Sequence, residues 1–128
     1  MMMALALGGC ALVPPPGCPA GLTHAKTAEL FFGRNVGAHH GVSDAAWQSF
    51  VDGEIAPRFP NGFTITDMRG SWRGQDGVTV HERSERLLVV LSGKPGEQEK
   101  LEEIRTSYKA RFHQESVMLL EGEGCVSF

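Results

Sequence analysis

The chain has 128 residues, 41% hydrophobic and 21% charged, with 12 Lys and Arg against 15 Asp and Glu for a formal net charge of −3. That balance argues against a nucleic-acid partner, which needs a basic face to displace counterions from phosphates. No apolar run approaches the roughly 18 residues of a membrane-spanning helix, and the length suits a single domain with one core.

The first segment, residues 1–10, reads as a truncated lipoprotein signal ending in the lipobox Leu7-Gly8-Gly9-Cys10. A secretory leader has a basic start, an apolar stretch and a small-residue cleavage site. Here no Lys or Arg precedes Cys10 and only Met1 to Leu7 serve as the apolar stretch, so the leader reads as cut short at its start. Lipidation of Cys10 would anchor the protein to a membrane, each buried CH₂ adding about 0.8 kcal/mol. The expected location is the cell envelope, facing the periplasm. Ala11 in place of Asp after the Cys resembles lipoproteins delivered to the outer membrane.

Residues 11–24 read as a tether. Pro14-Pro15-Pro16-Gly17-Cys18-Pro19 cannot build a helix or a central strand, because proline lacks the amide donor and fixes φ. With Cys10 lipidated, two cysteines remain, Cys18 and Cys125. In an oxidising compartment they would form a disulfide tying the start of the domain to its end; in the cytosol they would be two free thiols. Their spacing fits neither zinc nor dithiol redox chemistry.

Residues 25–128 read as one α+β domain. Thr27 to Arg34 predicts a first strand, with Phe31 and Phe32 on opposite faces. Ser43 is a helix N-cap with Asp44 in the first turn, and Trp47, Phe50, Val51 and Ile55 form one apolar stripe before Pro57 ends the helix. Phe63 to Arg73 and Val78 to Leu91 predict a hairpin around Gly74-Gln75-Asp76-Gly77. The run Leu87-Leu88-Val89-Val90-Leu91 has the pattern of a strand buried on both faces.

Pro95 opens a second helix carrying Leu101, Ile104, Tyr108 and Phe112, with glutamates near its start and Lys109, Arg111 and His113 near its end, the polarity its dipole favours. Ser116 to Glu121 predicts a last strand, followed by a tail from Gly122 to Phe128. The order strand, helix, strand, strand, helix, strand is that of a ferredoxin-like βαββαβ sandwich, a four-stranded antiparallel sheet with two helices on one face. Such folds serve many unrelated functions.

The segments Ala28-Glu29-Leu30-Phe31-Phe32-Gly33-Arg34, Val42-Ser43-Asp44-Ala45-Ala46-Trp47, Pro57-Arg58-Phe59-Pro60-Asn61-Gly62-Phe63-Thr64 and Gly70-Ser71-Trp72-Arg73, with Tyr108 to Val117, resemble the bacterial domain-of-unknown-function 3574 family of small lipoproteins. The likeness runs from about Thr27 to the C-terminus. It implies an envelope location and a fold, and transfers no catalytic residue.

Candidate chemistry lies in the arginines, which outnumber lysines eight to four. Guanidinium forks grip carboxylates and phosphates. Arg34, Arg69 and Glu82 are therefore candidates for an anion or acidic-ligand site on the helix-free sheet face, with Arg73 beside them and Trp72 as a stacking platform. The competing reading is structural, with the arginines paired to Glu29, Asp67, Glu82 and Glu85 and Trp72 packed at a hairpin end. Phe63 and Ile65 share parity with Asp67, Arg69 and Ser71, so one face of this strand passes from apolar to polar unless a bulge near Gly70 switches it.

His39 and His40 are adjacent and point apart, so no metal site is expected, nor any cofactor. His81 and Glu82, neighbours on a strand, face opposite ways and form no acid–base pair. The leading reading is a non-catalytic envelope lipoprotein binding a ligand or partner, with a homodimer through the open sheet face. The alternatives are a small periplasmic enzyme with a pocket near Arg69, Trp72 and Glu82, and an accessory protein with no site.

Overall fold

The computed structural model of the chain describes residues 17–37 and 39–128; the leader with Cys10, and the first part of the tether, lie outside the described residues. A first strand, β1 (Thr23–Gly33), leads into a short ribbon of β2 (Asn35–Val36) and β3 (His39–His40). Helix α1 (Asp44–Phe50) continues as a π-helical turn, Val51–Ile55. The hairpin β4 (Thr64–Arg73) and β5 (Thr79–Leu91) follows, then α2 (Glu97–Phe112) and β6 (Met118–Val126).

The four long strands form one antiparallel sheet in the order β4-β5-β1-β6. This is the ferredoxin-like α+β arrangement that the order of elements predicts. Strand alternation fixes its two faces. Ala28, Leu30 and Phe32 of β1 and Leu87 and Val89 of β5 are buried beneath Trp47, Phe50, Val51 and Ile55 of the first helical segment and Leu101, Ile104 and Tyr108 of α2. Phe32, Phe50 and Tyr108 meet at ring-centroid distances of 4.8 to 6.1 Å in edge-on contacts, an arrangement adding about 0.5 to 1.5 kcal/mol per pair beyond burial alone.

Local chemistry sets the element ends. Ser43 Oγ accepts the Ala46 N–H at 3.1 Å and starts α1. Ahead of α2, Glu97 accepts the backbone N–H groups of Ser92 and Gly93, and His113 closes the helix at φ 54 in the left-handed region.

Several boundaries differ from the sequence reading. β1 begins at Thr23, not Thr27, and β6 runs from Met118 to Val126, not from Ser116 to Glu121; the added residues pair with one another, Thr23 with Val126 and Lys26 with Glu123. Thr23 and His24, read as tether, and Gly122 to Val126, read as tail, are therefore sheet. The β2–β3 ribbon was not anticipated. The register of β4 against β5 is continuous from Thr64 to Arg73, with no bulge at Gly70. Leu88 and Val90, expected to be fully buried, are only partly buried, because nothing described covers that face. Cys18 and Cys125 are joined in a disulfide that links the segment before β1 to β6.

Candidate functional site

Arg34 continues the inward parity of Ala28, Leu30 and Phe32 and is buried with them at 1% exposure. All three of its guanidinium nitrogens are engaged. Nη1 donates to Glu85 Oε1 at 2.9 Å, Nε and Nη2 donate to the Val42 carbonyl, and Nη2 donates to Asp44 Oδ1 at 2.6 Å. The clamp joins β5 to the start of α1. Arg34 is thus structural, as the competing sequence reading held, and lies on the helix-covered face, not the helix-free one.

Glu85, also 1% exposed, bonds Arg34 through one oxygen, while Oε2 has no hydrogen-bond partner among the described residues. Burial pushes its carboxyl up to about 7, with Asp67, its register partner on β4, adding to the rise and Arg34 opposing it. The folded-state value lies above the ordinary 4.5, so this group's contribution is complete below that value and is lost as pH rises through about 7. Asp44 is held below its ordinary range by the Arg34 hydrogen bond; its contribution has the opposite sign and is lost only at more acid pH. Melting temperature is therefore expected to fall between about pH 5 and pH 8, with Glu85 contributing on the order of 2 to 3 kcal/mol, and Glu85→Gln to flatten that slope. Parallel melting profiles for the two proteins would refute the assignment.

The open face carries a different feature. Between the outer part of the β4–β5 hairpin and the segment His113 to Met118 lies a groove of about 900 Å³, a size suited to a small molecule. Phe31, Met68, Trp72 and Met118 supply its apolar surface, and Trp72 is 51% exposed. Gly33 and Gly70 contribute bare backbone. The Glu82 carboxylate lies across Gly33, where a methyl group would sit 2.9 Å from Oε2, and that oxygen accepts the Asn35 N–H at 3.4 Å. An exposed indole, two thioethers and the carboxylates of Glu82, Asp76 and Glu115 suit a flat ring that also offers hydrogen-bond donors.

The structure therefore divides the residues singled out from sequence. Trp72 and Glu82 share the open face and line the groove, which Arg69 borders. Strand alternation sets Arg69 and Arg73 on the opposite side of the hairpin from Trp72, with Arg69 facing Arg83 across the strands. The proposed grouping of Arg34, Arg69 and Glu82 on one helix-free face does not form, since Arg34 and Arg69 share the parity of core-facing residues and Glu82 does not. Phe31, Met68 and Met118 were missed. Met68 shares parity with Trp72, and Phe31 with the open-face side of β1, which was the available signal. Among the described residues no group of three His, Cys, Asp or Glu could hold a metal ion.

The chain belongs to the family described as protein of unknown function (DUF3574), which matches residues 27–128. No curated protein matches it. Among solved structures, a phage SAM lyase in complex with S-methyl-5'-thioadenosine is similar, with 20% identity and a TM-score of 0.60, covering 92% of this chain and 96% of the lyase. The apo phage SAM lyase gives 24% identity and a TM-score of 0.61, covering 92% and 95%. CutA from Synechococcus elongatus gives 11% identity and a TM-score of 0.52, covering 82% and 86%. These likenesses establish a shared fold.

Proposed function

We propose that the chain is a lipid-anchored protein of the bacterial cell envelope, held through Cys10 and facing the periplasm, whose domain binds a small ring-bearing ligand without catalysing its conversion. The lipobox and Ala11 support outer-membrane anchoring, and a Cys18–Cys125 disulfide suits an oxidising compartment. The groove carries the binding reading, because it combines apolar walls with the carboxylates of Glu82, Asp76 and Glu115 in a volume of about 900 Å³. The same face would serve a homodimer. Met118 and Leu120 stand more than half-exposed on it. The charges at its centre, Glu29 and Arg86, are joined by two hydrogen bonds of 2.8 and 2.9 Å, so a second copy would strand neither.

Native mass spectrometry of the full chain, exported and purified gently, tests this reading. A small-molecule adduct or a second chain is expected. Trp72→Ala should remove the adduct, and Gly33→Ala should weaken it by displacing the Glu82 carboxylate while the fold stays intact, since only a flexible side-chain end must move. A bare monomer, in the wild type as in the variants, would reject it.

A second reading, a small enzyme working in the same groove near Arg69, Trp72 and Glu82, draws support from the phage SAM lyases, which share the fold over 92% of this chain. Incubation with S-adenosylmethionine followed by mass analysis of the products separates the two: turnover supports the enzyme, and unchanged substrate the binding domain.

A further inference from the structure

The outer part of the β4–β5 hairpin runs beyond the helices, and the side that continues the core-facing register is exposed and basic. The register sets Arg69 opposite Arg83, Ser71 opposite His81 and Arg73 opposite Thr79, all on one face. Like charges directly opposite one another on antiparallel strands are destabilising. Arg83 has one carboxylate partner, Asp44, and Arg69 has none among the described residues. Asp44 Oδ1 lies 3.3 Å from Arg83 Nη1, but the same oxygen is only 2.6 Å from Arg34, which also occupies Glu85.

Arg69 and Arg73 form no ion pair among the described residues, whereas Arg58, Arg86, Arg105 and Arg111 each face a carboxylate. In a chain of net charge −3, this is a local excess of positive charge. Beside the arginine pair, Ser71 Oγ and His81 Nδ1 lie 2.7 Å apart, fixing a hydroxyl and an imidazole on the same face.

We propose that this face of the hairpin binds a phosphate group, with Arg69 and Arg83 gripping its oxygens from the two strands and Ser71, His81 and Arg73 completing the contacts. A carboxylate has two oxygens, which a single guanidinium fork satisfies; a tetrahedral phosphate offers enough acceptors for two forks and a hydroxyl. The anion would also relieve the repulsion between the paired arginines. Its side chains project from the other side of the hairpin from Trp72 and Glu82, and although Arg69 borders the open-face groove, Arg83, Ser71 and His81 do not line it, so the proposal is testable separately from that reading.

The full chain carrying Cys10→Ser, which cannot be lipidated, serves for the test. Inorganic phosphate is titrated against chloride at matched ionic strength, followed by calorimetry and melting temperature. Arg69→Gln and Arg83→Gln are each expected to weaken phosphate binding about tenfold, the loss typical of one charge-assisted contact. Without phosphate, Arg69→Gln should melt at the same temperature or higher, because a repulsion is removed. Lys94→Gln, outside the cluster, should keep the phosphate response.

A second arm floats the protein with vesicles of phosphatidylcholine, with and without phosphatidylglycerol. A phosphate response with no vesicle binding supports a soluble phosphate ligand. Binding only to the phosphatidylglycerol vesicles, lost in both Gln variants, supports a lipid headgroup. Neither response, or responses undiminished in both variants, would overturn the proposal.

Discussion

Arg34→Ala is expected to lower folding stability by about 3 to 5 kcal/mol, the usual result of removing one member of a buried ion pair. The loss has three sources in this structure. Glu85 would keep its burial and lose the one charge partner it has among the described residues, where its second oxygen already lacks a hydrogen bond. The Val42 carbonyl would lose both guanidinium donors, and Asp44 its 2.6 Å contact. The start of α1 would then be held mainly by the Ser43 cap and by Trp47 and Phe50. Against the 5 to 15 kcal/mol net stability common for single domains, such a loss is large.

Urea unfolding measures it. The midpoint should fall for Arg34→Ala, while the double variant Arg34→Met with Glu85→Leu should recover most of the loss, because apolar side chains of similar volume replace buried ion pairs at little cost. A loss below about 1 kcal/mol for Arg34→Ala would mean that the clamp does not hold α1 to the sheet.

The order of elements, the helix caps and the apolar stripes were legible because each is a local pattern. Trp47, Phe50, Val51 and Ile55 announce a buried helical face without reference to any other part of the chain. The parts that escaped depend on distant partners. Thr23 to Lys26 and Glu123 to Val126 each look like loop, one adjoining a proline-rich tether and the other interrupted by Gly124, and they become strand by pairing with each other. Local propensity cannot report a pairing between segments so far apart in sequence.

The candidate site was half legible for a related reason. Arginine is read as a surface residue, so Arg34 entered as a ligand-binding candidate, yet its parity with Leu30 and Phe32 already pointed it inward. Glu85 shares parity with Leu87 and Val89 in the same way. Two oppositely charged residues at core-facing positions of strands that turn out to be neighbours are the signature of a buried pair, and recognising it requires knowing that β1 lies beside β5. Alternation alone also separates Trp72 and Glu82 from Arg69 and Arg73. The groove could not be read from alternation, because the segment from His113 to Ser116 that borders it packs there only through the tertiary fold.

Replacing both Cys18 and Cys125 by Ser is expected to cost about 3 to 5 kcal/mol, because the bridge closes a loop with a sequence separation of 107 and removes the corresponding freedom from the unfolded chain. A local effect should accompany the global one. Among the described residues β6 is an edge strand paired to β1 alone, and several of its side chains are exposed, so its last residues are held mainly by ladder hydrogen bonds, the exposed His24–Glu123 contact and the disulfide. Hydrogen exchange in the double variant should therefore accelerate most at Glu123 to Val126 and at Thr23 to Lys26, beyond the change that global destabilisation imposes on Leu87 and Val89. Urea midpoints under oxidising and reducing conditions provide the second check, since reduction of the wild type should reproduce the loss in the variant. If neither treatment moves the midpoint, the bridge contributes nothing to stability and its support for an oxidising compartment falls with it.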